Sequence, residues 1–250
     1  MGFATKTAVV TGAGSGVGKA TARLFAERGA DVVVVDIDGD AAEAATEELR
    51  ETGDGGAIAV TADVSEAADV EAFVRRAVEE FGGIEILHNN AGIPQESTPV
   101  ESVAEETWDR VQRVNLKSAF LGAKYAVPHM RETEGAVILN TASTAGIRPR
   151  TGLSAYAAAK GGMITLTKQL AHELADDGIR VNAICPVATD TDMLPKFAGG
   201  ELSVDGMVDT IPLGHLAQPE DSASAAVFLA SDQASMITGT ALEVDGGRDI

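Results

Sequence analysis

The chain has a single cysteine, Cys185, so no intrachain disulfide can form. A lone buried thiol reads as a small core residue. Positive charge is also scarce. Lys and Arg number 19 against 38 Asp and Glu, for a formal net charge of −19. A field of that sign repels phosphate backbones and anionic lipid surfaces, which argues against nucleic-acid or membrane-surface partners. No apolar run approaches the length of a bilayer span, and Met1 to Val10 has no adequate signal-peptide core. The expected location is therefore the cytoplasm. The acidity reads either as an ordinary soluble enzyme or as adaptation to a salty cytoplasm, where dense carboxylates stay hydrated and self-repulsion is screened.

Linkers, repeats and low-complexity tracts are missing too, which leaves one domain over residues 1–250. Seven short apolar runs lie near Thr7–Val10, Asp31–Val35, Ala57–Thr61, Ile84–Asn89, Ala136–Thr141, Arg180–Ile184 and Ala241–Val244. Val32–Val35 is continuously apolar, as a strand buried on both faces must be. Helical stretches alternate with these runs: Asp40–Arg50, Glu66–Phe81, Ala104–Met130, Ala155–Ala175 and Glu220–Leu229. This alternation predicts an α/β fold, a doubly wound parallel seven-stranded sheet of Rossmann type with helices on both faces. One stretch departs from it. Asp190–Leu213 carries Pro195, Gly199, Gly200, Gly206 and Pro212 with weak periodicity, and is expected to form a substrate lid.

The first predicted strand runs into Thr11-Gly12-Ala13-Gly14-Ser15-Gly16-Val17-Gly18, followed by an amphipathic helix. The spacing is T-G-x-x-x-G-x-G, with Gly12, Gly16 and Gly18. Bare glycines let the backbone approach a pyrophosphate, and the helix start at Ser15, Gly16 and Val17 offers amide donors and positive dipole. Asp36 ends the second strand, where a carboxylate accepts hydrogen bonds from ribose hydroxyls. It would repel a 2′-phosphate by about 1–4 kcal/mol near 4 Å, and Ser15 and Ile37 supply no cation. The predicted cofactor is NAD.

Tyr156 and Lys160 are four apart in a predicted helix, which places both on one face. Alcohol oxidation needs a base for the hydroxyl proton, and a tyrosine titrates too high unless a nearby ammonium favours its phenolate. Ser143 lies just past the fifth strand, at the edge where ligands gather in such sheets, and its hydroxyl can donate to a developing oxyanion. His88, His129, His172 and His215 show no metal-ligand spacing, and Ser143 lacks a nucleophile elbow. Neither a metal nor hydrolase chemistry is expected.

Together with Asp63-Val64, Asn89-Asn90-Ala91-Gly92, Asn115 and Val244-Asp245-Gly246-Gly247, these motifs resemble the short-chain dehydrogenase/reductase family over nearly the whole chain. The resemblance implies that Asp63 and Val64 hold the adenine and that Asn90, Ala91 and Gly92 floor the cofactor site. It implies that Lys160 also bonds the nicotinamide ribose beside Tyr156, and that Asn115 holds a proton-relay water. Pro186, Thr189 and Thr191 would clamp the carboxamide, although Val187 replaces the usual glycine, where a side chain restricts the bend. His215 is expected at the surface. Pro94, Gln95, Thr144, Ala145, Arg148, Arg150 and the lid would line the substrate pocket, with Ser143, Gln95 and Tyr156 on the substrate. The implied activity is NAD-dependent hydride transfer to or from a secondary alcohol or ketone, whether sugar, diol, simple alcohol, hydroxysteroid or 3-oxoacyl thioester. A non-catalytic NAD(H)-binding protein or a lyase on the same fold are the alternatives. The family's usual assembly is a homotetramer.

Overall fold

The computed structural model describes residues 2–197 and 204–250. Seven strands form one parallel sheet: β1 (Thr7–Thr11), β2 (Asp31–Asp36), β3 (Ala57–Thr61), β4 (Ile86–Asn89), β5 (Val137–Thr141), β6 (Arg180–Pro186) and β7 (Ala241–Val244). Their order is β3-β2-β1-β4-β5-β6-β7. The continuous valine run explains itself in β2. Val32 and Val34 pack on one side with Phe25, Leu49 and Leu229, whereas Val33 and Val35 pack on the other with Phe73, Leu121 and Met130. Helices α1 (Gly16–Ala26), α2 (Gly39–Thr52) and α8 (Pro219–Ala230) cover the first face. Helices α3 (Ala67–Phe81) and α5 (Ser118–Met130) cover the second. The direction of winding reverses between β1 and β4, which opens a crevice at the carboxyl ends of those strands.

The predicted single helix Ala104–Met130 is in fact broken. It runs as α4 (Glu105–Gln112), a π turn at Arg113–Lys117, then α5. Single π turns recur at functional sites because they turn one side chain out of the regular register. Here the displaced turn carries Asn115, fully buried, whose amide grips the main chain of Ile93. α6 (Ser154–Glu173) is the longest helix among the described residues. Of the stretch expected as a lid, Leu194–Phe197 forms a short 3-10 turn and α7 (Val204–Val208) follows, while Gly199 and Gly200 lie outside the described residues.

Candidate active site

A cleft of about 940 Å³ opens at the carboxyl edge of the sheet, near the upper end of ordinary ligand pockets. Its walls include Gly12, Ser15, Gly16, Val17, Asp36 and Ile37, and also Asp63, Val64, Asn90, Ala91 and Gly92. Ser143, Tyr156, Lys160, Pro186, Thr189 and Thr191 line it as well. Residues spread over most of the chain therefore meet in one space.

The glycine loop is shaped by close approach. Gly12 and Gly16 have φ of +63° and +53°, in the left-handed region. Ser15 is extended and its hydroxyl does not cap α1, so no side chain covers the first-turn amides. Asp36 braces the loop: its Oδ2 accepts from Gly14 N at 2.9 Å and its Oδ1 from Asp38 N at 3.1 Å. Gly18 sits behind the loop. It does not line the cleft, and a Cβ there would lie 2.1 Å from the Gly12 carbonyl oxygen and 2.5 Å from Asn90 Nδ2. Its lack of a side chain lets α1 press against the loop.

Beneath the loop runs a buried polar seam. Thr11 Oγ1 accepts from the amides of Asn90 and Ala91, and Asn90 Nδ2 donates to the carbonyls of Thr11 and Gly12. Thr141 Oγ1 donates to Asn90 Oδ1, so its contact at 2.8 Å with His88 Nε2 makes that nitrogen the donor. Burial holds His88 neutral, with a pKa down at about 3. The carbonyl of Thr141 accepts from Lys160 Nζ at 2.6 Å. One residue thus ties the glycine loop to Lys160. Sequence reasoning missed His88 and Thr141 as parts of the site, because a hydrogen-bonded core histidine has no spacing signature.

Tyr156 and Lys160 share a face of α6, as their spacing requires. Their electrostatics differ from expectation. Burial pushes the Tyr156 phenol up to about 12, against a hydrogen bond with Ser143 that pulls it down. Burial pulls Lys160 down to about 8. Lys160 Nζ is 5.8 Å from the tyrosine ring centre and is engaged by Thr141, so desolvation outweighs its attraction for a phenolate. Cys185, fully buried and pushed up to about 12 by burial, is the core thiol expected.

Two further residues act from behind the cleft. Gln95 is 2% exposed and off the cleft; its Oε1 accepts from Ala155 N at 2.9 Å and Tyr156 N at 3.0 Å. No side chain of α6 itself caps its start, so Gln95 supplies a cap from a distant loop and fixes Tyr156 rather than substrate. Asn115 is likewise off the cleft. A Cβ on Gly92 would sit 2.8 Å from Asn115 Oδ1 and 3.6 Å from Lys160 Nζ, so that glycine leaves a gap between them. Pro94, Arg148 and His215 also lie off the cleft, whereas Thr144, Ala145 and Arg150 line it. His215 is exposed, with Nδ1 at 3.0 Å from the Leu216 carbonyl. Val187 is accommodated without strain. Thr5 alone among described non-glycine residues has a positive φ, and Val187 packs with Ile211 and Ala217.

The residues present fit a dinucleotide. Left-handed glycines make room beside the uncapped amides of α1, a carboxylate waits at the end of β2, and a tyrosine and lysine stand at the far end of the same cleft. The geometry defines a doubly wound dehydrogenase. Residues 12–249 match the family described as enoyl-(acyl carrier protein) reductase, and the chain belongs to the short-chain dehydrogenases/reductases. It is 43% identical to the 4-formylbenzenesulfonate dehydrogenase of Comamonas testosteroni, covering 100% of both chains. It is also 43% identical to the cis-4-hydroxycyclohexanecarboxylate dehydrogenase of Sinomonas cyclohexanicum, covering 98% of this chain and 97% of that one. Among solved structures it superposes on a 3-ketoacyl-(acyl-carrier-protein) reductase from Brucella melitensis complexed with NADH. That match has a TM-score of 0.93 and 46% identity over 99% of this chain and 100% of the other. The protein is an oxidoreductase acting on a secondary alcohol or ketone with a nicotinamide cofactor.

Proposed function

We propose that the protein is an NAD-dependent dehydrogenase of secondary alcohols, with Tyr156 as base, Ser143 as donor to the substrate oxygen and Lys160 as the charge behind the tyrosine. The observation that carries this reading is the single cleft holding Ser143, Tyr156 and Lys160 at one end and Asp36 at the other. Asp36 makes no ion pair among the described residues, so no cation there would welcome a 2′-phosphate. Two relatives, a cyclohexanol dehydrogenase and the cis-4-hydroxycyclohexanecarboxylate dehydrogenase, are named for a carbinol carbon on a six-membered ring.

When bound, an oxidised nicotinamide would supply the hydride acceptor and a positive charge favouring the phenolate. The chain does the rest. Ser143 and Tyr156 hold the substrate oxygen between two hydroxyls, and the phenolate accepts its proton. Lys160 is held by the Thr141 carbonyl and stays charged below about pH 8. The gap over Gly92, between Asn115 Oδ1 and Lys160 Nζ, is where a water would relay the proton outward. Lys160 and Tyr156 also hold the nicotinamide ribose, Asp63 and Val64 the adenine, and Pro186, Thr189 and Thr191 the carboxamide.

The 190–213 segment acts as the substrate lid, no metal takes part, and the cytoplasm is the place of action. No helix among the described residues is long and apolar enough to cross a membrane. The working assembly is a homotetramer, supported by Trp108 and Phe120, which stand 42% and 50% exposed near the α4–α5 junction. Light scattering of the purified chain checks that. The net charge of −19 favours a salt-adapted enzyme, with stability and turnover rising from low to molar KCl. The function itself is tested with Tyr156→Phe. Turnover of secondary alcohols should fall about 1000-fold or more while NADH binding persists. Turnover that survives the substitution would contradict the mechanism.

A further inference from the structure

The cleft of this very acidic protein is not acidic throughout. Asp36 and Asp63 stand at the glycine-loop end, and Asp190 and Asp192 on the loop after β6. Arg150, Lys196 and Arg248 line the part bounded by the Ser143–Tyr156 connection, the lid and the C-terminal segment. With Arg110 and Lys160, five cationic residues line the cleft of a chain that has only 19, and their partners need an account.

Arg150 has one within the protein. Its Nη2 lies 2.9 Å from Asp249 Oδ1, and its Nη1 donates to the Arg148 carbonyl. Arg248 has none. It is partly buried, yet among the described residues its guanidinium makes no hydrogen bond and no ion pair. Asp245 and one oxygen of Asp249 are engaged elsewhere, whereas Asp249 Oδ2 is buried without a hydrogen-bond partner. Asp245 accepts from the amides of Gly247 and Asp249, while Asp249 Oδ1 takes Arg150, with Arg148 at 3.8 Å. Burial and the like charge of Arg150 lower the Arg248 pKa, against the attraction of Asp249 and Asp245. A guanidinium in the cleft wall that is bonded to neither carboxylate keeps its donors for a ligand. The planar guanidinium fork matches a carboxylate in particular.

We propose that Arg248 is the receptor for a carboxylate carried on the substrate, at a distance from the carbon that exchanges hydride. This rests on the secondary-alcohol reading of the cleft. The cofactor's own anions belong at the opposite end, on the glycine loop and the start of α1. A charge-assisted contact of this kind favours the anionic compound over a neutral one of the same shape by roughly 10–100-fold.

The test compares cyclohexanecarboxylate with cyclohexanecarboxamide by titration calorimetry, with and without saturating NADH, on wild type and Arg248→Gln. The wild type should prefer the carboxylate about 10–100-fold, and the preference should fall to within about threefold in Arg248→Gln, with Arg248→Lys between them. Because the guanidinium makes no hydrogen bond or close ion pair among the described residues, Arg248→Gln should melt within about 2 °C of the wild type. The wild-type pair is a test by itself. No binding of the carboxylate at 10 mM (about the millimolar limit of a useful site), or equal binding of acid and amide, would overturn the proposal. So would a preference that survives Arg248→Gln; equal binding would mean that Asp249 satisfies Arg248 internally. Turnover is read separately, with NAD and either 4-hydroxycyclohexanecarboxylate or cyclohexanol. A carboxylate preference in binding without turnover of either alcohol would leave the anion receptor standing and remove the dehydrogenase reading. Equal kcat/KM for the two alcohols would do the reverse.

Discussion

The two ends of the cleft are built by different means. At the glycine-loop end, backbone does the work. Gly12 and Gly16 take left-handed conformations, Gly18 is pressed against a carbonyl, and the side chains of Thr11, Asp36 and Asn90 are spent on bracing main-chain groups. At the substrate end, side chains do it. Tyr156, Lys160 and Ser143 project from α6 and the end of β5, and the Arg248 guanidinium makes no hydrogen bond or ion pair among the described residues. The first end is a mould for a common shape; the second is a set of exchangeable groups. The difference explains why cofactor geometry can be read from spacing while substrate identity cannot.

Glycine substitution breaks the comparison most sharply. Gly18→Ala places a methyl 2.1 Å from the Gly12 oxygen, against backbone that cannot yield cheaply. Thermal unfolding and NADH titration should show a loss of about 3 kcal/mol and of at least roughly 100-fold in affinity. Gly161→Ala at the substrate end meets nothing closer than 3.4 Å and should change both little. Equal effects at the two positions would mean the loop is no tighter than the helix.

Asp36→Asn sharpens the reading of the cofactor. It keeps an acceptor for Gly14 N and removes the charge, so the NAD-to-NADP ratio of kcat/KM should fall by about one to three decades. An unmoved ratio would take discrimination away from Asp36.

Where the two ends meet, His88 should show itself in acid. Its native pKa, about 3, lies below the ordinary 6.5, so the unfolded chain binds the proton first. The stability it contributes is fully present above pH 6.5 and is lost as pH falls toward 3. Measured against His88→Gln by urea unfolding, the wild type should lose roughly 2 kcal/mol more between pH 7 and pH 5. Parallel pH curves would show that His88 titrates as a free imidazole. The smallest effect is expected at Gln95. Gln95→Leu removes the remote cap of α6 and should cost about 1–2 kcal/mol and about 10-fold in kcat, with Gln95→Glu restoring much of both. Loss of KM alone would return Gln95 to the substrate.

Much of this molecule was legible in its sequence, for reasons that differ by residue. Val32–Val35 announced a doubly buried strand because no other surface suits four consecutive valines. Tyr156 and Lys160 were legible because helical periodicity and proton chemistry point the same way. The π turn at Arg113–Lys117 was not, since it preserves helical composition and shifts only the hydrogen-bond register. Gln95 was misread as a substrate contact because its partners, the amides of Ala155 and Tyr156, lie some sixty residues away. The mutual attraction expected of Tyr156 and Lys160 depended on a dielectric that only burial could reveal.

The account stands most directly on one assay: absorbance at 340 nm with wild-type protein, NAD and a panel of cyclic secondary alcohols, alongside an NADH binding titration. The account predicts NADH formed in step with ketone from NAD, and less NADPH when NADP replaces NAD. NADH that binds while no alcohol in the panel is oxidised would contradict it and leave a nucleotide-binding protein without turnover.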